Sequence, residues 1–124
     1  MFVITAAEAP RFGLPGIEFT GLASPSRGST EVCTWRITVE AGLRSPAPHV
    51  LDRDEIFMVA AGSIQLTPDA PLLRQGDAAV VPAGAPIQLV NPGDGPAEVY
   101  VVIRAGFSAT MADGSAIGTP PWAQ

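Results

Sequence analysis

The chain has no lysine, one histidine and one cysteine among its 124 residues. Each scarcity removes a class of chemistry. Without lysine there is no Schiff-base nucleophile. With Cys33 alone there is no intrachain disulfide. With His49 as the sole imidazole, one chain cannot build a three-histidine metal site, so no metal and no cofactor are expected. Charge is also sparse. Only 15% of residues are ionised and the net charge is -5, a surface that repels phosphate backbones and anionic lipid. Neither nucleic acid nor membrane is therefore expected as a partner. No apolar run approaches the roughly 20 residues of a membrane-spanning helix. The stretch from Met1 to Ala9 is apolar but short and has no basic n-region, so it does not read as a signal peptide. A soluble, cytoplasmic protein is the expectation.

What the chain has in quantity is hydrophobic residues, 47%, punctuated by 13 glycines and 13 prolines. Short apolar runs cut by turn formers, with no sustained helical period, predict an all-β domain. Strands are expected near residues 2–5, 17–22, 31–40, 55–60, 63–67, 78–81, 87–91 and 98–104. The clearest alternation lies in Glu31–Glu40, where Cys33, Trp35, Ile37 and Val39 share one face and Val32, Thr34, Arg36, Thr38 and Glu40 the other. Ala60–Ser63 reads as a tight hairpin turn, and Thr67–Ala70 as a turn preset by Pro68. Residues 22–30 read as a Ser/Pro/Gly loop forming a lip over a pocket. The chain divides into one domain, 1–105, and a small, polar C-terminal tail, 106–124, expected to be partly mobile.

Two segments stand out together. In the first, residues 42–62, Gly42 is followed by His49, Leu51, Glu55 and, after a six-residue gap, Gly62. In the second, residues 76–91, Gly76 precedes Pro82 by five residues, and Gly84, Ile87 and Asn91 follow. In order and spacing this pair resembles the two motifs of the cupin superfamily, and the resemblance extends from Gly42 to about Ile103. It implies a cupin-type double-stranded β-helix, a jelly-roll barrel. In that family the positions of His49, Leu51, Glu55 and Ile87 look into the barrel and bind a divalent metal. Here leucine and isoleucine stand at two of the four, leaving one imidazole and one carboxylate, too few for tight metal binding.

The resemblance makes Leu51, Phe57, Val59, Ile87 and Leu89 candidates to line an apolar lumen, filled by its own side chains or holding one small organic ligand. His49 and Glu55 are the candidate catalytic groups. One reading makes them an acid/base pair in which a nearby carboxylate raises the imidazole pKa while burial lowers it. The other makes them a relic of a lost metal site. Trp35 and Tyr100 are candidates for the ligand pocket or for packing. Arg36 holds a ligand carboxylate if its face is the lumen and is solvated if it is not. Cys33 reads as a buried, inert thiol, and the resemblance makes Asn91 a turn-forming or packing residue. The function expected is that of a metal-independent small-molecule cupin, a lyase, isomerase or cyclase. The alternatives are a binding or sensing module without chemistry and a weak metal-dependent dioxygenase. The family also implies a homodimer, with the N-terminal strand, Ile56 and Met58 as contact positions.

Overall fold

The computed structural model describes residues 1–124. The chain forms a jelly-roll β-sandwich from eleven strands: β1 (Arg11–Leu14), β2 (Ile17–Gly21), β3 (Val32–Val39), β4 (His49–Leu51), β5 (Glu55–Ala61), β6 (Ser63–Ile64), β7 (Leu73–Arg74), β8 (Ala78–Val81), β9 (Ala97–Arg104), β10 (Ala109–Met111) and β11 (Ala116–Gly118). One layer is a six-stranded sheet in the order β1-β2-β3-β9-β5-β8. The opposing layer runs β11-β10-β4, continues through the extended residues 87–90, and ends at β6-β7. No helix is long and apolar enough to cross a membrane.

The alternation expected in β3 is realised. Cys33, Trp35, Ile37 and Val39 are buried, and the register carries this face across β9 and β5 as rows of inward side chains. One row is Cys33–Ile103–Glu55–Val81; the next is Trp35–Val101–Phe57–Ala79. Leu51, Ile64, Leu66, Ile87, Leu89 and Phe107 close the core from the other layer. Strict parity leaves Arg36, Tyr100, Met58, Ile56 and Val80 on the outside of the sheet, where Ile56, Met58, Val80 and Tyr100 are exposed.

Several local expectations need correction. Residues 2–5 form no strand; Met1, Phe2 and Val3 are exposed. The first strand begins at Arg11, in Arg-Phe-Gly-Leu, whose glycine hides its β character. Gly62 does not close a hairpin. It has φ 71° and carries the chain from β5 in one layer to β6 in the other, and a Cβ there would meet the Pro96 carbonyl oxygen at 2.5 Å. Residues 87–91 lie extended between Pro86 and Pro92 but pair only through isolated bridges, to His49 and Arg44 on one side and Gln65 on the other. The turn at Thr67–Ala70 forms as expected, closed by the Ala70 amide on the Thr67 carbonyl at 3.1 Å.

The segment after Gly106, expected as a loose tail, is built into the sandwich. Phe107 and Ala109 are buried, β10 pairs with β4, and a short 3-10 turn at Pro121–Ala123 packs on the inner end of β2 and β3. Trp122 stacks on Phe19 with ring centroids 3.7 Å apart. Small, polar residues concealed this, because the segment is held by side-chain donors elsewhere in the chain. Ser24 and Ser26 hydroxyls both donate to the Gln124 carbonyl, at 2.6 and 2.5 Å. Arg27 donates to the Trp122 carbonyl at 2.9 Å and the Cys33 thiol to that of Ala123 at 3.3 Å. Residues 24–27, expected as part of a pocket lip, therefore clamp this segment.

Candidate functional site

Glu55 opens β5 on its inward face, and only 4% of it is exposed. Its neighbours in the row, Ile103 and Val81, are aliphatic. Its side chain makes no hydrogen bond or ion pair, and Oε2 is buried with no partner at all. An isolated carboxylate in apolar surroundings is strongly disfavoured, so the group keeps its proton. Burial pushes the Glu55 carboxyl up to about 8. At neutral pH it is a carboxylic acid, able to donate.

His49 opens β4 on the facing layer. The strand is short because Pro46 and Pro48 precede it, and it is held by reciprocal backbone bonds with Ile87, at 3.0 and 2.8 Å, and by pairing with Met111. The imidazole is half-buried, and burial holds its pKa below the usual 6.5. No carboxylate counters that effect. His49 and Glu55 form no ion pair or hydrogen bond, and the expected mutual tuning is absent. Each is instead shifted by desolvation alone, in opposite directions, so at neutral pH both are uncharged.

The lumen residues Leu51, Phe57, Val59, Ile87 and Leu89 are all buried in the shared core, as is Trp35. The indole of Trp35 packs near Phe107, centroids 6.0 Å apart, and its Nε1 is buried without an acceptor. Arg36 and Tyr100 do not join them. They are cross-strand partners on the outer face, one rung of alternation from Trp35 and Val101. The choice left open for Arg36 is thereby made: a face shared with Thr34 and Thr38 cannot also be the face of Trp35. Phe107 belongs with the interior and was not anticipated, because it lies in the segment taken for a tail.

Cys33 is fully buried; burial raises its thiol pKa, partly opposed by Arg27. It is structural, tied to Ala123. Asn91 is also fully buried, and its polar atoms are used. Nδ2 donates to the Val39 and Gly95 carbonyls at 3.1 and 3.0 Å, and Oδ1 accepts from the Gly93 amide at 3.0 Å. The turn role expected for it is what these bonds describe. A surface concavity of about 510 Å³ lies along β1 and β2 among Arg11, Leu14, Glu18 and Glu40, at the opposite side of the sheet from β5 and Glu55.

The donor set does not fit a metal. Leu51 and Ile87 have no ligating atoms, and no group of three His, Cys, Asp or Glu side chains converges anywhere in the chain. Tight divalent sites use three or more protein donors.

A two-layer jelly roll closed around an apolar interior, with one carboxyl and one imidazole entering from facing layers, defines the class. The chain belongs to the cupin family: the model described as Cupin domain matches residues 35–103. No curated protein sequence matches it. Among solved structures, the polyketide cyclase RemF from Streptomyces resistomycificus superposes with a TM-score of 0.74 at 15% identity, covering 98% of this chain and 88% of its own. A sugar phosphate isomerase of the cupin superfamily from Silicibacter pomeroyi gives 0.62 at 25% identity, covering 85% and 82%. Salicylate 1,2-dioxygenase from Pseudoaminobacter salicylatoxidans gives 0.68 at 17% identity, covering 83% of this chain and 31% of its own. Cyclase, isomerase and dioxygenase names on one fold mean that the fold selects no chemistry; the site residues must.

Proposed function

We propose that this cupin binds a small organic molecule in its interior and performs metal-independent proton-transfer chemistry on it, as an isomerase, lyase or cyclase. The observation that carries the reading is the unpartnered Glu55 carboxyl, buried among aliphatic side chains. Opposite pKa shifts assign roles. Glu55 holds its proton at neutral pH and is the general acid, while neutral His49 is the base or the orienting acceptor. Protonating a carbonyl oxygen while a proton leaves the adjacent carbon is enolisation. That step is shared by isomerisation, elimination and intramolecular condensation.

Enolisation is read without knowing the natural substrate. A panel of small enolisable ketones incubated with the protein in D2O, followed by proton NMR, should show α-proton exchange faster than buffer. The exchange should fall at least tenfold in Glu55→Gln and in His49→Ala. Exchange that is absent with every ketone, or that survives in both variants, removes the catalytic role. The lack of an ion pair or hydrogen bond between His49 and Glu55 favours, as a second reading, a module that binds without turnover. Ligand binding retained in both variants, with no exchange, identifies it. The exposed outer-face residues Ile56, Met58, Val80 and Tyr100 form an apolar patch suited to pairing two copies; a monomer by light scattering at low concentration removes that assembly.

A further inference from the structure

Two polar groups enter the interior from the central strands of the six-stranded sheet with nothing to bond. They are the Glu55 carboxyl and the Trp35 indole N–H. They sit on adjacent inward rows, Cys33–Ile103–Glu55 and Trp35–Val101–Phe57, separated laterally by β9. Both residues are more than nine-tenths buried. An unsatisfied buried polar group destabilises the fold, and native interiors leave few of them, so each calls for a partner. The remaining unpartnered atoms belong to Thr20 and Arg36 on the outer face, to Arg53 in a loop, and to Trp122 in the C-terminal turn.

The charge of the missing partner follows from where the cations are. With no lysine, only seven arginines can meet an anion. Arg36, the one foreseen as a carboxylate clamp, is on the outer face. Arg11, Arg44, Arg74 and Arg104 are exposed, and Arg53 binds Asp52. Arg27 lies beside the core, and its field reaches Cys33. Its donors are already given to the Leu22 and Trp122 carbonyls, and it exerts no effect on Glu55. A carboxylate or phosphate placed beside Glu55 would be a buried charge without a counter-ion, which apolar surroundings reject.

Building on the small-molecule reading above, we propose that the interior is selective for an uncharged, carbonyl-bearing ligand, with Trp35 Nε1–H and the Glu55 carboxyl as its hydrogen-bond donors. Carboxylates and phosphate esters of the same size are excluded. The chemistry of the sugar phosphate isomerase that shares the fold is thereby set apart from this chain.

Acetophenone, benzoate and phenyl phosphate share one ring and differ in charge, and serve as probes against the full chain. Binding is followed by 15N–1H NMR of the two indole N–H groups, with Trp35→Phe assigning the pair. Acetophenone should bind at least tenfold more tightly than either anion at pH 7 and shift the Trp35 indole resonance while leaving that of Trp122 in place. Its affinity should drop several-fold in Trp35→Phe, and should weaken as the pH passes the Glu55 titration. If Trp35→Phe does not fold, the indole shift in the natural chain reads the same contact, and Trp122→Phe supplies the assignment. Benzoate or phenyl phosphate binding as tightly as the ketone overturns the inference, as does ketone binding that leaves the Trp35 N–H unmoved, or no binding by any probe. Anion binding beside intact α-proton exchange would sink the ligand class and spare the acid/base reading. Selective ketone binding without exchange would do the reverse.

Discussion

Glu55 and Asn91 are both polar, both buried, and both belong to the paired motifs, yet their surroundings are opposites. Asn91 spends its amide on Val39, Gly93 and Gly95 and knits the turn before β9 to the end of β3. Glu55 spends nothing. The same contrast separates the C-terminal segment, where Ser24, Ser26 and Arg27 satisfy successive carbonyls, from the interior around Trp35 and Glu55. Polar groups that serve structure are paired; a group left unpaired in the same core destabilises the fold and needs another reason to be there.

That contrast predicts effects of opposite sign. The largest concerns Glu55. Its carboxyl titrates at about 8 in the fold and near 4.5 when unfolded. Below pH 4.5 both states carry the proton. Between 4.5 and about 8 the unfolded chain releases it while the folded chain retains it, so stability falls as pH rises, and the loss is complete above about pH 8. At 1.36 kcal/mol per unit the loss is on the order of 5 kcal/mol. Glu55→Gln should abolish this slope and leave the variant several kcal/mol more stable than the natural chain at pH 9, by urea denaturation across pH. An unchanged slope would mean that Glu55 is solvated or paired. His49 acts from the other side. Its depressed pKa gives stability that is present above 6.5 and lost as pH falls further.

Next in size, Asn91→Ala should destabilise by roughly 3 kcal/mol, because two carbonyls and one amide lose their partner in a buried turn. A loss under 1 kcal/mol in the same urea titration would erase the distinction from Glu55. Smaller again is Trp122→Ala. The ring is half-buried on Phe19, so about 2 kcal/mol is expected, below the range for a fully buried tryptophan. Cys33 supplies a second reading. It is the only thiol and lies under Ala123, so its labelling by a thiol reagent should accelerate when Trp122 is removed. Labelling at the natural rate would show the segment to be held by Ser24, Ser26 and Arg27 alone.

The all-β class and the alternation of β3 were legible because period-two patterning and glycine–proline punctuation are local properties; the inward set Leu51, Phe57, Val59, Ile87 and Leu89 came only through the family resemblance carried by the two motifs. The strand expected at 2–5 failed because apolar composition alone does not supply a pairing partner. β10, β11 and the clamp on residues 122–124 were hidden because their bonds come from residues distant in the chain.

What the sequence by itself determined is the inventory: no lysine, one imidazole, and aliphatic side chains at two of four ligand positions. Those facts limit the chemistry whatever the fold. Tertiary structure alone decided which members of that inventory meet. It put Arg36 and Tyr100 outside, folded Phe107 inside, left His49 and Glu55 without a bond to each other, and left Glu55 without a partner. Burial and pairing are properties of neighbours brought together across the sheet, and no local pattern encodes them.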